Sequence, residues 1–334
     1  MQLCVARMER PQTLKSLALI AGFLMALAQP AFSWNESEVE IKGGLATLHG
    51  TMTLPDGDAP VDMALILPGS GPTDRDGNFP EGQNDSLKLL AHDLADEGIG
   101  SLRIDKRGVG ASYAAAPDEN DLRAETFVED ALNWLRFLEE QDRTSRLFLV
   151  GHSEGALVAT LAALEHDVSG LVLIAGTGRP APDLIREQVE GSAMPPELKA
   201  RSDELLETLK RGETDENVPR ELGPLYRPGV QPYLISWFRH DPAKELARVQ
   251  APVLLVQGTN DLQIRPTDTT LLSQARPDAT LITIEAMNHV LKPAPSTRAE
   301  NIALYSRPDI PLAPGLVRAI ASFISDMTKK PASE

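Results

Sequence analysis

This 334-residue sequence predicts an α/β fold: a mostly parallel central sheet flanked by helices, with an inserted helical cap. Three observations carry that expectation. Short apolar, β-prone runs alternate with stretches of helical spacing, the signature of strands joined by crossover helices. That rhythm breaks over residues 177–248 and then resumes. Finally, Gly151-His-Ser-Glu-Gly155 separates a strand-like apolar run from a helix-like one, where a plain turn would use Asn, Asp or Pro.

The elements follow in order. Leu45–Thr53 and Val61–Leu67 read as strands joined through the turn Pro55-Asp-Gly-Asp58. Ser86–Glu97 places apolar residues at 89, 90, 91 and 94, a helical spacing, and Gly100–Ile104 is a short strand. Thr126–Glu139 is a one-sided helix, Leu147–Val150 a strand, and Gly155–Leu164 a helix apolar on nearly every face, hence buried. Leu171–Ala175 is another strand. Residues 177–248 are proline-rich and charged, with helical patches such as Glu197–Leu209. A segment this long is no simple loop, so residues 177–248 are expected to form the cap, with the core at 34–176 and 249–334. After it come a strand at Val253–Gln257, a helix from Pro266, a strand at Leu281–Ile284 and a last helix at Leu316–Met327.

Composition bounds the partners. The chain is 42% hydrophobic and 4% aromatic, so an aliphatic core is expected. Its net charge of −16 argues against nucleic acid or an anionic membrane surface as a partner. At the N-terminus, Arg7, Arg10 and Lys15 precede the apolar run Leu17–Ala28, and small residues stand at Ala31 and Ser33. That pattern predicts a secretory signal peptide over residues 1–33, cut after Ser33 or, as a second site, after Ala28. The apolar run is too short to span a bilayer, which needs about 20 residues. The expected mature protein is periplasmic or secreted, with no stable membrane association. Its net charge would be −18, and it would lack the single cysteine, Cys4. No disulfide, thiolate nucleophile or thiol metal ligand would remain.

The G-x-S-x-G break predicts chemistry. A serine on a sharp strand-to-helix turn has its hydroxyl lifted clear of the sheet edge, and glycines two residues either side let strand and helix approach. Serine is a weak nucleophile without a base, and the base needs an orienting acid. Of six histidines, His49 and His92 precede the break, His152 lies within it, His166 ends a helix and His240 lies in the cap. His289 alone follows the last core strand, on a loop able to reach Ser153. The acid expected is Asp261, in Gly258-Thr-Asn-Asp261 at the end of a strand; Asn260 cannot carry the charge. Developing negative charge on a substrate oxygen needs preorganised N–H donors. Those expected are Glu154, just after the serine, and Ser70 or Gly71 in Leu67-Pro-Gly-Ser-Gly-Pro72.

With these residues in place the chain resembles the α/β-hydrolases, in the bacterial branch of serine aminopeptidase-like and dienelactone hydrolase-like esterases. The resemblance rests on "LPGSGPTDRDGN", "RIDKRGVGAS", "LVGHSEG", "YLISWFRHDP", "VQGTNDLQI" and "MNHVLK", and extends over about residues 61–325. It implies Ser153 as nucleophile, Asp261 as acid, His289 as base, and Ser70 and Glu154 as oxyanion donors. Pro68 departs from the pattern, standing where a histidine often precedes the first glycine.

Two other motifs are set aside. Asp74-Arg-Asp-Gly-Asn78 with Asp85 has the outline of a calcium loop, but Phe79 occupies the turn-glycine position. Asp105-Lys-Arg-Gly-Val-Gly110 lacks the third glycine of a dinucleotide fingerprint, Tyr113 standing there. Instead, Arg107 is expected to pair with Asp74 or Asp76 and brace the loop at 67–72. No metal or organic cofactor is expected. The leading expectation is an exported serine hydrolase for carboxylic esters of short to medium acyl chain, a small-molecule substrate class. A peptidase or amidase using the same residues is the alternative, with a cap carboxylate such as Glu187, Glu190 or Glu204 binding a free amine. A catalytically silent binding protein is the third reading. In the cap, Trp237 and Phe238 would either line an acyl pocket or pack the cap on the core.

Overall fold

The structure is a computed structural model and describes residues 33–44 and 46–327. The expected signal peptide, apart from Ser33, lies outside the described residues. Eight strands form one sheet: β1 (Trp34–Gly43), β2 (Ala46–Pro55), β3 (Val61–Leu67), β4 (Gly100–Ile104), β5 (Thr144–His152), β6 (Gly170–Ile174), β7 (Val253–Gly258) and β8 (Thr280–Ile284). Their spatial order is β1-β2-β4-β3-β5-β6-β7-β8. From β4 across to β8 every pairing is parallel, while β2 runs antiparallel to both β1 and β4.

The interior strands β3, β5, β6 and β7 have two apolar faces because both are covered. In β3, Met63, Leu65 and Leu67 enter one core while Ala64 and Ile66 enter the other. Likewise in β5, Leu147 and Leu149 face one side, Phe148 and Val150 the opposite one. This period of two sends each strand's residues alternately to helices on the two sides. On one side lie α2 (Ala124–Glu139) and α3 (Glu154–Glu165); on the other lie α1 (Ser86–Asp96) and the helix Leu316–Asp326. Helix α3 is apolar all round because it packs on β5 and β6 and on α2.

Strand β1 was not foreseen. Its sequence, WNESEVEIKG, has no apolar run, and most of its residues are exposed. It is held by pairing instead: Thr51 and Thr53 donate to Glu38 (2.7 Å) and Glu36 (3.0 Å), directly across the ladder.

Between β6 and β7 run five helices, α4 (Ala181–Glu190), α5 (Pro196–Lys210), α6 (Gly223–Tyr226), α7 (Gln231–Trp237) and α8 (Pro242–Leu246). Each carries a proline in its first two positions, where a missing N–H costs nothing, so the segment's many prolines start helices. The segment is tied to the sheet side at both ends. Arg179 donates from Nε and Nη2 to the buried Asp268 of α9 (Pro266–Ala275) at 2.9 and 2.8 Å. Ser236 accepts the Ala124 N–H that opens α2 at 2.8 Å.

The strand order reverses direction at β3: the chain passes from β3 to β4 on one side, then returns to β5 on the other. Crevices at the carboxyl ends of strands flanking such a reversal are where open α/β sheets bind ligands. The loops at 67–72 and 151–155 leave these two strands.

Candidate active site

The break at 151–155 is the turn between β5 and α3. Ser153 sits at φ +56°, ψ −118°, a conformation that costs an L residue about 1–3 kcal/mol. Surrounding bonds hold it there: the Ser153 N–H donates to Ile174 O (2.9 Å), and the Ala156 N–H to Ser153 O (3.0 Å). Both glycines are required by close approach rather than by their own torsions. A Cβ at Gly151 would overlap the Gly155 backbone, and one at Gly155 would overlap the carbonyls of Leu67 and Pro68. Gly155 therefore seats α3 directly on the loop after β3.

Asp261 and His289 meet at the other side of this turn. Asp261 Oδ2 lies 2.9 Å from His289 Nδ1, and both side chains are buried, 1% and 6% exposed. The other carboxylate oxygen, Oδ1, accepts the N–H groups of Gln263 (2.7 Å) and Ile264 (3.0 Å). One carboxylate thus closes its own turn and orients the histidine. Burial pushes the Asp261 carboxyl up, but His289 and these hydrogen bonds outweigh it and hold the group below its ordinary range.

Asn260, which cannot supply charge, stitches the two loops instead. Its N–H donates to Met287 O (3.0 Å) and its side-chain amide to Ala294 O (2.6 Å). The loop around His289 is closed by Asn288, whose Oδ1 accepts the Lys292 N–H at 3.0 Å, and by the buried Lys292 ammonium on Ile310 O.

His152 joins the serine turn to the histidine loop. Its Nε2 lies 2.8 Å from His289 O, and the two rings are 4.8 Å apart. A carbonyl oxygen only accepts, so Nε2 carries the proton. Burial, then the neighbouring His289, depress the His152 pKa to about 3, which keeps the ring neutral. Sequence reasoning passed this residue over, because a histidine beside a candidate nucleophile gives no sign of which way it turns.

The loop after β3 lies against the serine. A Cβ on Gly69 would stand 3.2 Å from Ser153 Cβ, and Gly71 adopts φ +67°. Ser70, between them, is exposed. Thr73 Oγ1 donates to Ser70 O at 2.8 Å, and Lys106 Nζ donates to both Gly69 O and Gly71 O, the latter at 2.8 Å. Glu154 is the first residue of α3, so its N–H is among those a helix cannot satisfy internally. Its side chain turns inward, with Oε2 3.9 Å from Lys106 Nζ.

The expected bracing by Arg107 is corrected. Arg107 reaches the opposite way, donating from Nε and Nη2 to Asp130 (both 2.7 Å) and to Gly43 O (3.0 Å). The aspartates expected as its partners are otherwise engaged: Asp74 Oδ1 accepts the N–H groups of Asp76 (2.9 Å) and Asn78 (2.8 Å), and Asp76 faces Arg103 at 3.2 Å. Support for the segment comes from Arg75 on the buried Asp105 and from Lys106 on the glycine carbonyls. Successive side chains at the end of β4 point to different sides, and the sequence did not reveal which of the two neighbours faces the loop.

In the segment after β6, Trp237 is 8% exposed and packs into the core beside Tyr233, 5.9 Å ring to ring. Of the carboxylates named as amine binders, Glu187 is paired with Arg179 and Arg265, and Glu204 with Arg201. Among the described residues, no group of three or more His, Cys, Asp or Glu is arranged to hold a metal ion, and no helix is long and apolar enough to cross a membrane.

A parallel sheet with a strained serine at its reversal point and a buried carboxylate–histidine pair nearby is the architecture of the α/β-hydrolase fold. Residues 64–303 match the alpha/beta hydrolase family, and the chain belongs to that family. Esterase EstD of Thermotoga maritima is 29% identical over 268 residues, which cover 78% of this chain and 60% of EstD. The chain thus spans less than two thirds of that relative's length. Among solved structures, Est1E from Butyrivibrio proteoclasticus with ferulic acid bound superposes with a TM-score of 0.58 at 16% identity, covering 87% of this chain and 100% of that one. The esterase domain of a Rhodothermus marinus protein gives 0.55 at 19%, covering 87% and 98%. At such identities these two likenesses concern the fold.

Proposed function

We propose that this chain is an exported serine hydrolase that cleaves carboxylic esters of short to medium acyl chain through an acyl-enzyme. The observation that carries the reading is the 2.9 Å contact between Asp261 Oδ2 and His289 Nδ1, on a loop bonded to the residue next to the strained Ser153. With Nδ1 committed to Asp261, His289 Nε2 is the nitrogen left to take the Ser153 proton. Ser153 Oγ then bonds to the ester carbonyl carbon, and the carbonyl oxygen gains negative charge facing the N–H of Glu154 and that of Ser70 or Gly71. Collapse expels the alcohol, protonated by His289. A water, deprotonated by the same nitrogen, releases the acid and restores Ser153. The esterase relative supports the ester class. Export rests on the N-terminal sequence pattern, and N-terminal sequencing of the protein recovered from its host tests it.

The direct test of the chemistry is hydrolysis of 4-nitrophenyl esters from acetate to decanoate by the wild type and by Ser153→Ala. A drop of about a thousandfold or more is expected in the variant, and the chain-length profile reports the acyl pocket. A wild type that hydrolyses no ester but is labelled on Ser153 by a fluorophosphonate redirects the search to aminoacyl amides. Absence of both reactions favours a binding protein.

A further inference from the structure

One buried cation has no part in the scheme above. The Lys106 side chain is 9% exposed and the Glu154 side chain 6%, and Lys106 Nζ stands 3.9 Å from Glu154 Oε2. At that distance the carboxyl balances charge without taking a hydrogen bond. The bonds from Nζ go to the carbonyls of Gly69 and Gly71, on either side of the exposed Ser70. The Phe127 ring, 5.9 Å away, covers another side of the ammonium. Burial pushes the amine down and the Glu154 carboxyl up from their ordinary ranges, the cost of keeping a lone pair of charges here. Simple loop closure needs no such group.

The peptide geometry supplies the reason. No peptide bond among the described residues is cis. In a trans peptide the C=O and the following N–H point in opposite directions. Drawing the Gly69 carbonyl inward onto Lys106 therefore turns the Ser70 N–H outward. Gly69 is also the residue whose Cβ position lies 3.2 Å from Ser153 Cβ, so this peptide is the one against the serine. The second carbonyl that Lys106 holds, Gly71 O, belongs to the peptide of Pro72, which has no N–H to offer. The Gly71 N–H is set by a different bond, that of Thr73 Oγ1 to Ser70 O at 2.8 Å.

We propose that Lys106 is a positioning residue of the oxyanion hole: buried between the Gly69 and Gly71 carbonyls and the Glu154 carboxyl, it fixes the Ser70 N–H as the loop's donor toward Ser153. The inference rests on the esterase reading. Through Glu154 the same ammonium also lies beside the residue that bears the second donor. Lys106 touches no substrate; it acts on the direction of one peptide plane.

The test is Lys106→Met, which keeps length and volume but cannot donate. With 4-nitrophenyl butyrate, kcat is expected to fall about 100-fold, as for loss of an oxyanion donor, with KM within about threefold of wild type. Inhibition by a trifluoromethyl ketone, whose serine adduct carries an oxyanion, should weaken in proportion. Activity should return in Lys106→Cys, made in a Cys4→Ser background, once 2-bromoethylamine under denaturing conditions and refolding restore the amine. A folded Lys106→Met with kcat within about threefold of wild type overturns the proposal. Should that variant not fold, the wild type labelled with ¹⁵N-serine and ¹⁵N-glycine decides: the Ser70 amide proton should move downfield in the ketone adduct, and movement of Gly71 instead overturns the assignment. A wild type inert to esters and to the ketone overturns the esterase reading and this inference with it. An active wild type with an equally active Lys106→Met overturns the inference alone.

Discussion

His152 Nε2 donates a hydrogen bond to the backbone carbonyl of His289, 2.8 Å away, so two loops remote in sequence meet beside Ser153. Replacing the ring by one of similar size without a donor, His152→Phe, leaves that buried carbonyl unsatisfied. The expected cost is about 1–3 kcal/mol in stability. A fall in kcat of roughly 10- to 100-fold should accompany it, because small displacements of a catalytic group are expensive. Urea unfolding and ester turnover on one preparation measure both.

The same histidine gives stability a pH dependence. Folded His152 takes up a proton only near pH 3, whereas an unfolded histidine does so near 6.5. Between those values the unfolded chain binds more protons. Stability is therefore full above about pH 6.5 and falls as pH drops toward 3, by up to about 1.4 kcal/mol per unit from this group. Urea midpoints between pH 7 and 5 should show the slope in the wild type and a shallower one in His152→Phe. Equal slopes would mean that another group titrates.

Asp261→Asn separates orientation from folding. The amide oxygen can still accept the N–H groups of Gln263 and Ile264, so the turn should survive, with a thermal midpoint within about 4 °C of wild type. What is lost is the carboxylate that fixes the His289 tautomer, and kcat should fall about 10³- to 10⁴-fold. Differential scanning calorimetry alongside ester kinetics distinguishes this from simple unfolding.

Gly155→Ala tests the seating of α3 on the loop after β3. Its added Cβ would meet backbone carbonyls of Leu67 and Pro68, which cannot rotate away as a side chain could. A loss of about 3 kcal/mol or more is expected, read from urea denaturation, since overpacking against backbone exceeds the usual core cost. A variant as stable as wild type would mean the helix can shift.

Arg107→Gln checks the corrected role of that arginine. Removing it leaves the buried Asp130 without its two-pronged partner, so stability should fall by about 3 kcal/mol. Turnover per folded molecule should stay within about threefold of wild type, unlike Lys106→Met one residue away. A selective loss of kcat in Arg107→Gln would restore the bracing role first expected of it.

Periodicity and turn chemistry are local properties, and they made much of the fold legible in the sequence alone. The two-faced apolar runs of β3, β5, β6 and β7, the one-sided spacing of α2 and the G-x-S-x-G interruption each reflect residues a few positions apart. The contact of Asp261 with His289 was expected because both residues lie on loops that leave the carboxyl ends of strands. Strand β1 escaped because it is held at the sheet's edge by its backbone ladder to β2 and by cross-strand threonine–glutamate bonds, with only Val39 and Ile41 packed against the core. What only the tertiary structure decided was the partner of those polar side chains that no motif assigns. Lys106 and Arg107 are adjacent and carry the same charge, yet one turns under the glycine loop and the other toward Asp130 in α2. His152 met His289, 137 residues on, because the chain between them returns through the sheet to the same edge. Such choices depend on strand register and on which way a loop peptide faces, and both are settled by packing between segments far apart in sequence.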